Sequence, residues 1–534
     1  MTSLIRRWHG NPWAILITLS LGFFMTLLDL TIVNIAVPSM SEHLDAGIDE
    51  VLWVINGYVL ILAVMLITTG RLGDMRGQRK MFMLGVAVFT VASLLCGLSQ
   101  EAWQLIAARV LQGGGAALLM PQTMALIIAT FPAERRGAAM GVWGSVAGLS
   151  TVAGPTLGGL LVTAFDWRWI FFVNVPIGVL VLVMAWAFIP DVRHNRQHKL
   201  DWTGVALVTV ALFFLAFALT EGQRYEWNGW ILASLALSAV VFAAFVLQQR
   251  SRQDNEPLVP FSLFRQRNFT VLSMVGLAVS IGMIGLFLPI SIYLQSVLGF
   301  SAIKAGLVLA PSSLVSMFVA PFAGKLSDKL GGRNILIFGM TVYAVAMAWL
   351  LAVFSVDADW TAFLGPFLVS GLGIGCVFAP MATEAMRGVA PAQAGAASGV
   401  NNTIRQIGSV LGGTVAGAIL QSQMAASLAE EAQKRAGALP EQVRQPFVAG
   451  IKDAAKGGLE IGGQRTAEAP AGVPADVAAQ IQKIGHDVFT HAFVTAVRPT
   501  MLFPIIVMLV GAAACLLVRD SGAKSVQPAE KVAP

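Results

Sequence analysis

Fourteen apolar stretches follow one another along a chain of 534 residues. Each is near 20 residues, the length that carries a helix across ~30 Å of hydrocarbon. No soluble fold of this size has a core able to hide them all. A helix satisfies its own backbone hydrogen bonds in lipid, whereas barrel strands alternate in polarity and give no such continuous runs. The fold class is therefore an all-α membrane protein. Its spans are expected near 13–38, 51–69, 81–99, 103–126, 138–163, 169–189, 203–220, 229–247, 269–297, 303–323, 335–354, 361–386, 396–420 and 499–518.

Composition agrees. Apolar residues make up 56% of the chain, charged ones 12%, and mean hydropathy is +0.73. A soluble domain carries about twice that share of charge. The net charge of +6 does not point to nucleic acid, because it gathers in the links between spans. Cys96, Cys376 and Cys515 all fall inside apolar spans, so no disulfide framework is implied. Arg6 and Arg7 precede the first apolar run, but that run holds Asp29 and lacks a small-residue cleavage site. It reads as a span, not a signal peptide.

Charge sets the expected orientation. One set of links carries Arg71, Arg76, Arg79, Lys80, Arg135, Arg136, Arg193, Arg196, Lys199, Arg250, Arg252, Arg265, Arg267, Lys325, Lys329 and Arg333. The alternate short links hold Arg168, Arg224 and Lys304, and the link at 41–50 is acidic. The positive-inside rule then places both termini in the cytoplasm of a multi-pass protein of the inner or plasma cell membrane. A long outer segment at about 421–497 has helical periodicity at 424–436 and 476–489, broken by Gly and Pro between. It reads as helical pieces outside the membrane, either a lid, a docking element for an outer partner, or a loose tether.

The chain repeats itself. GRLGDMRGQRK at 70–80 and GKLSDKLGGRN at 324–334 share Gly, Leu, Asp, Gly and Arg at matching places. Pro121 and Pro132 are matched by Pro380 and Pro391, and RGAAMG at 136–141 by AGAASG at 394–399. Spans one to six thus correspond to spans nine to fourteen, with two spans inserted between. The expected division is 1–190, 191–268 and 269–534. Membrane-embedded repeats of this kind point to a transporter that rocks around a central site.

Several polar residues sit at membrane depth. Asp29, in LDLTIVNIAVP at 28–38, is a carboxylate where charge is costly, and so a functional candidate. The alternative is a structural cap or a structural pair with an Arg. Arg109, in LIAARVLQGGGAALLMP at 105–121, stays charged and needs a partner, or snorkels outward. Counted along their helices, Asp29 lies ~24 Å and Arg109 ~21 Å from the inner surface, close enough in depth to meet. Asn34 and Gln112 lie in the same two segments. Asn401, Asn402, Arg405 and Gln406 in span thirteen either line a cavity or make structural hydrogen bonds. Glu384 lies near the inner end of span twelve. Spans thirteen and fourteen carry no acid, which counts against dicationic substrates. Phosphate-loop, H-E-x-x-H, G-x-S-x-G and Cys/His metal patterns are missing from the sequence, so neither an enzyme nor a metal or organic cofactor is expected.

These segments together resemble the drug:proton antiporters of the major facilitator superfamily, in the fourteen-span branch. The resemblance covers nearly the whole chain outside 421–497. It includes Gly141-x8-Ser150-x3-Gly154-Pro155-x2-Gly158-Gly159, the family's exporter spacing with Ser150 in place of a Gly, and WRWIFFVNVPIG at 167–178, with Trp167 and Trp169 as interfacial anchors. The resemblance implies a major facilitator fold of two six-helix halves plus two inserted helices. It implies that Asp29 carries protons with Arg109 tuning it, and that a proton gradient supplies the energy. It also implies that Gly70, Asp74, Arg76, Gly77, Arg79 and their repeats Asp328 and Arg333 form a cytoplasmic latch. The function it implies is proton-coupled efflux of lipophilic or cationic small molecules such as drugs. Two other readings keep the fold: export of an endogenous metabolite or lipid, and inward proton symport.

Overall fold

The computed structural model describes residues 8–46, 48–191, 200–222, 224–456 and 475–519, and those residues hold helices joined by short turns and no strand. The long helices are α1 Pro12–His43, α2 Ile48–Arg76, α3 Gln78–Leu98, α4 Ala102–Thr130 and α5 Arg136–Ala164. Then come α6 Trp169–Phe188, α7 Trp202–Glu221, α8 Gly229–Ser251, α9 Arg267–Ile292, α10 Ala302–Leu330 and α11 Arg333–Val353. The last are α12 Trp360–Met386, α13 Ala394–Arg435 and α14 Ala475–Ala514. Their starts are written in the sequence. Asn11 accepts from the Trp13 and Ala14 N–H groups at 2.9 and 3.4 Å, with Pro12 at the first helical position. Asp201, Asn228 and Ser301 cap α7, α8 and α10 in the same way, satisfying donors that a helix leaves free.

Twelve of these helices are long and apolar enough to cross a membrane. The other two of the fourteen expected spans are α5 and α13, both rich in Gly and Ala. Each lies between the halves, α5 against α1 and α10, α13 against α9 and α2. A helix that faces protein on two sides needs small residues more than hydropathy.

Two large apolar clusters lie one mainly in each half, the first reaching across to Ala379, Met386 and Val400 of the second half. The first contains Leu19, Phe82, Phe89, Leu119 and Val181; the second contains Leu272, Met340, Tyr343, Phe367 and Met501. The inserted α7 and α8 join the first through Val208, Leu212 and Phe245. The far end of α7 also bridges the halves: Asn56 of α2 donates to Glu221 at 3.2 Å, and Thr414 of α13 to the Leu219 carbonyl at 2.8 Å.

The structure revises the 421–497 segment. The pieces at 424–436 and 476–489 are continuations of α13 and α14, which have 42 and 40 residues. At 1.5 Å per residue each is about 60 Å long, twice the hydrocarbon thickness. Their apolar spacing never stops. Leu420, Met424, Leu428 and Ala432 are buried at every fourth place, facing Ile481, Ile484 and Val488. The amphipathic helix Glu441–Lys456 covers them with Phe447 and Ile451. The result is a packed stalk at one end of the bundle.

Candidate functional site

Five helices of the first half meet around Asp29. The residue is 0% exposed and Arg109 is 1% exposed. Arg109 Nη1 lies 2.5 Å from Asp29 Oδ2 and also donates to Gln112 Oε1 at 2.6 Å. Its Nε donates to the Val54 carbonyl of α2 at 3.0 Å, and its guanidinium lies 4.3 Å from the Tyr58 ring centre. Gln112 Nε2 divides its hydrogens between Asp29 Oδ1 at 2.8 Å and Ser93 Oγ at 2.7 Å. Asn174 of α6 completes the ring, donating to Asp29 Oδ1 at 3.3 Å. Both carboxylate oxygens are thus engaged without water. A buried charge of this kind is kept only when paired and hydrogen-bonded. The carboxylate and the guanidinium are each other's charge partner, so anything that draws one away leaves the other buried and unpaired.

Three side chains of this cluster were not singled out from the sequence: Tyr58, Ser93 and Asn174. Asn174 lies within WRWIFFVNVPIG, so that motif did carry a signal. The same motif corrects an expectation: Trp167 is 0% exposed, with the Arg168 guanidinium over its ring and Phe171 meeting it edge to face, and is no interfacial anchor. Trp169 does remain exposed. Asn34 stands outside the cluster, exposed and bonded to the Leu30 carbonyl at 3.0 Å.

The glycine spacing of α5 marks two contact faces. A methyl group on Gly154 or Gly158 would strike Thr31 or Ile32 of α1. One on Gly141 or Gly159 would strike α10 at Ala320 and Pro321 or at Ile303. Ser150 is buried, its hydroxyl turned back to the Val146 carbonyl at 2.9 Å, so it fits where glycine would. The side chain of Pro155 lies outside the described residues.

The repeated loops form two matching clasps at the end of the bundle away from the stalk. Asp74 accepts from the Gly395 and Ala396 N–H groups, both at 2.8 Å. Asp328 accepts from those of Gly137 and Ala138 at 2.8 and 3.0 Å. Each aspartate of one half thereby caps the N-terminus of a helix in the other, where the dipole favours an anion. Gly70 and Gly324 give the backbones room, since a methyl on either would meet the carbonyl of Gly395 or Gly137. Gly77 and Gly331 take φ of +98° and +84° to turn the chain into the next helix, a region glycine enters without strain. The arginines do not touch the aspartates. Arg76 is exposed, Arg79 donates to the Trp186 carbonyl at 2.8 Å, and Arg333 Nε has no hydrogen-bond partner.

The candidates in the second half separate. Glu384 is pinned near the clasps, accepting from the Gly332 N–H at 3.0 Å and pairing with Arg387 at 3.1 Å. It ties α12 to the Gly332 turn that opens α11. Asn401 donates to Ser273 at 3.3 Å and Asn402 to the Ser398 carbonyl at 2.9 Å. Gln406 borders a small crevice against α2 and α7. Arg405 faces α9 and α12, 5.0 Å from the Phe378 ring centre.

The Major Facilitator Superfamily profile matches residues 19–413. The chain belongs to the major facilitator superfamily. The tetracenomycin C resistance and export protein of Streptomyces glaucescens is 33% identical over 98% of this transporter and 95% of its own length. The multidrug resistance protein Stp of Mycobacterium tuberculosis is 33% identical over 84% of the chain and 83% of its own length. The human organic anion transporter MFSD10 superposes with a TM-score of 0.55 at 12% identity, covering 93% and 99% of the two chains; at that identity the likeness is one of fold. The transporter is thus a multi-pass membrane protein of the multidrug-efflux type.

Proposed function

We propose that this transporter exports lipophilic small molecules, drugs or antibiotics among them, in exchange for protons, by alternating access. The observation that carries the reading is the sealed Asp29–Arg109 pair deep in the first half. A proton entering from outside neutralises Asp29 and releases Arg109 and Gln112, so helices α1, α4 and α6 lose their shared anchor. Proton and substrate then favour different states, which is what coupling requires. The gradient is the energy source and no cofactor takes part.

In this reading the clasps lie on the cytoplasmic side of the cell membrane, both termini are cytoplasmic, and the stalk projects outward. Closed clasps make the conformation outward-facing. The stalk then offers a docking surface for a partner outside the membrane. The relative named for tetracenomycin C export favours a second reading of the cargo, a self-made metabolite. The test is transport in proteoliposomes under an imposed pH gradient. Uphill movement of a lipophilic dye that collapses with the gradient supports the proposal; movement indifferent to the gradient overturns it.

A further inference from the structure

The first half neutralises its buried arginine; the second half leaves one bare. Arg405 lies ten residues along α13 from Gly395, about 15 Å from the clasps and so near the middle of a ~30 Å core. It is half-buried, its Nε is buried without a hydrogen-bond partner, and among the described residues no carboxylate bridges to it. Glu384, the acid of the neighbouring helix, is committed to Arg387 and Gly332. A charged residue at this depth is costly, and its retention marks function. The fold does not require it: in the repeat, Ala147 of α5 occupies the matching place.

The surroundings suit a ligand. Helix α12 is broken beside Arg405, running as Leu364–Gly375 and then Phe378–Met386 with Cys376 and Val377 in a turn. Transporters place such broken helices at their binding sites, with the positive N-terminal end of a half-helix toward an anionic group. The second segment begins at Phe378, whose ring stacks on the guanidinium. Gly276 of α9 lets the arginine stem pack directly on the α9 backbone, with Met381 close by. Ser398, Asn402, Arg405 and Ser409 share one face of α13 at spacings of four, three and four. A fixed cation, a half-helix end, an aromatic plate and a polar stripe are thereby set against apolar walls.

We propose that Arg405 is the anion-recognising residue of the central site, and that the cargo is an amphiphilic aromatic acid, bearing a carboxylate or acidic phenol on an apolar body. This deepens the export reading and rests on its central site. The anionic group takes the guanidinium in a charge-assisted hydrogen bond, and the rings lie against Phe378 and Met381.

The test is binding to the purified full-length transporter in detergent, read by tryptophan quenching. The probes are anthraquinone-2-carboxylate, its neutral carboxamide and a cationic aminomethyl analogue. The carboxylate should bind at least ~10-fold more tightly than the carboxamide, as one charged hydrogen bond allows. Arg405→Gln should reduce the carboxylate-to-carboxamide affinity ratio to about one, and Arg405→Lys should keep part of it. A wild type that binds none of the probes, that prefers the amide or the cation, or whose preference survives Arg405→Gln overturns the proposal. Melting temperature and gel-filtration profile check that each variant is folded. Because binding needs no gradient, the two readings fail separately. Acid preference without gradient-driven uptake would defeat proton coupling alone. Gradient-driven uptake of neutral or cationic lipophiles without acid preference would defeat the role of Arg405 alone.

Discussion

Asp29 and Arg109 meet at 2.5 Å where neither reaches solvent. Asp29→Asn keeps the shape but leaves the guanidinium buried and unpaired, at a cost of ~3–5 kcal/mol. Gradient-driven export should vanish and the melting temperature should fall. Arg109→Gln added to Asp29→Asn should restore much of the stability and none of the coupling. Thermal melting alongside proteoliposome flux checks both, and uphill export by Asp29→Asn would remove Asp29 from the coupling step.

The clasps make a paired prediction. Asp74 and Asp328 each hold two N–H groups of the opposite half. Asp74→Asn or Asp328→Asn should cost the clasped state about 1–3 kcal/mol. Spin labels across the clasp end should show a longer distance in either variant and the largest shift in the double variant. Binding at the central site should change little once the population shift is allowed for. An unchanged distance distribution would reduce the loops to positive-inside charge.

Topology can be read by labelling. The native Cys96, Cys376 and Cys515 are all buried, so background is low. Lys452→Cys, exposed on the stalk, should react with an impermeant maleimide in intact cells, whereas Asn255→Cys, exposed on the link after α8, should not. Reaction at 255 would invert the orientation.

Asp201 gives a pH test. Burial raises its carboxyl pKa, but hydrogen bonds from Gln248, the Gly204 N–H and Gln249, with Arg252 beside them, outweigh that and hold it below the ordinary range. A depressed pKa stabilises the fold above the unfolded value, ~3.9, and that contribution is lost as pH falls through the folded value. Asp201→Asn should therefore melt earlier at pH 6 and converge toward wild type in strong acid. A gap independent of pH would show that the ionised form is not what matters at this cap.

The fold was legible because hydropathy and repeat are one-dimensional signals. Asp29 and Arg109 could be matched because antiparallel helices turn residue counts into depth. Tyr58, Ser93 and Asn174 could not, since side chains reaching in from further helices leave no spacing in the sequence. Glu384 lies where its position near the inner end of span twelve puts it, but its partners Gly332 and Arg387 could not be read from spacing. The stalk was half legible: its helical pieces at 424–436 and 476–489 showed in the periodicity, but their continuity with α13 and α14 did not, because their apolar residues are spaced for helix packing and not run together as lipid demands.

Helix α13 carries no proline between Ala394 and Arg435 and is unbroken throughout. One rod thus holds the Asp74 clasp at its foot, Arg405 about a quarter of the way up and the stalk at its tip. A tilt that frees the foot must swing the tip, so the transport cycle is displayed outside the bilayer as the movement of a lever. Linkage makes the traffic two-way: whatever grips the tip more firmly in one posture will, from tens of ångströms away, decide how readily the foot lets go.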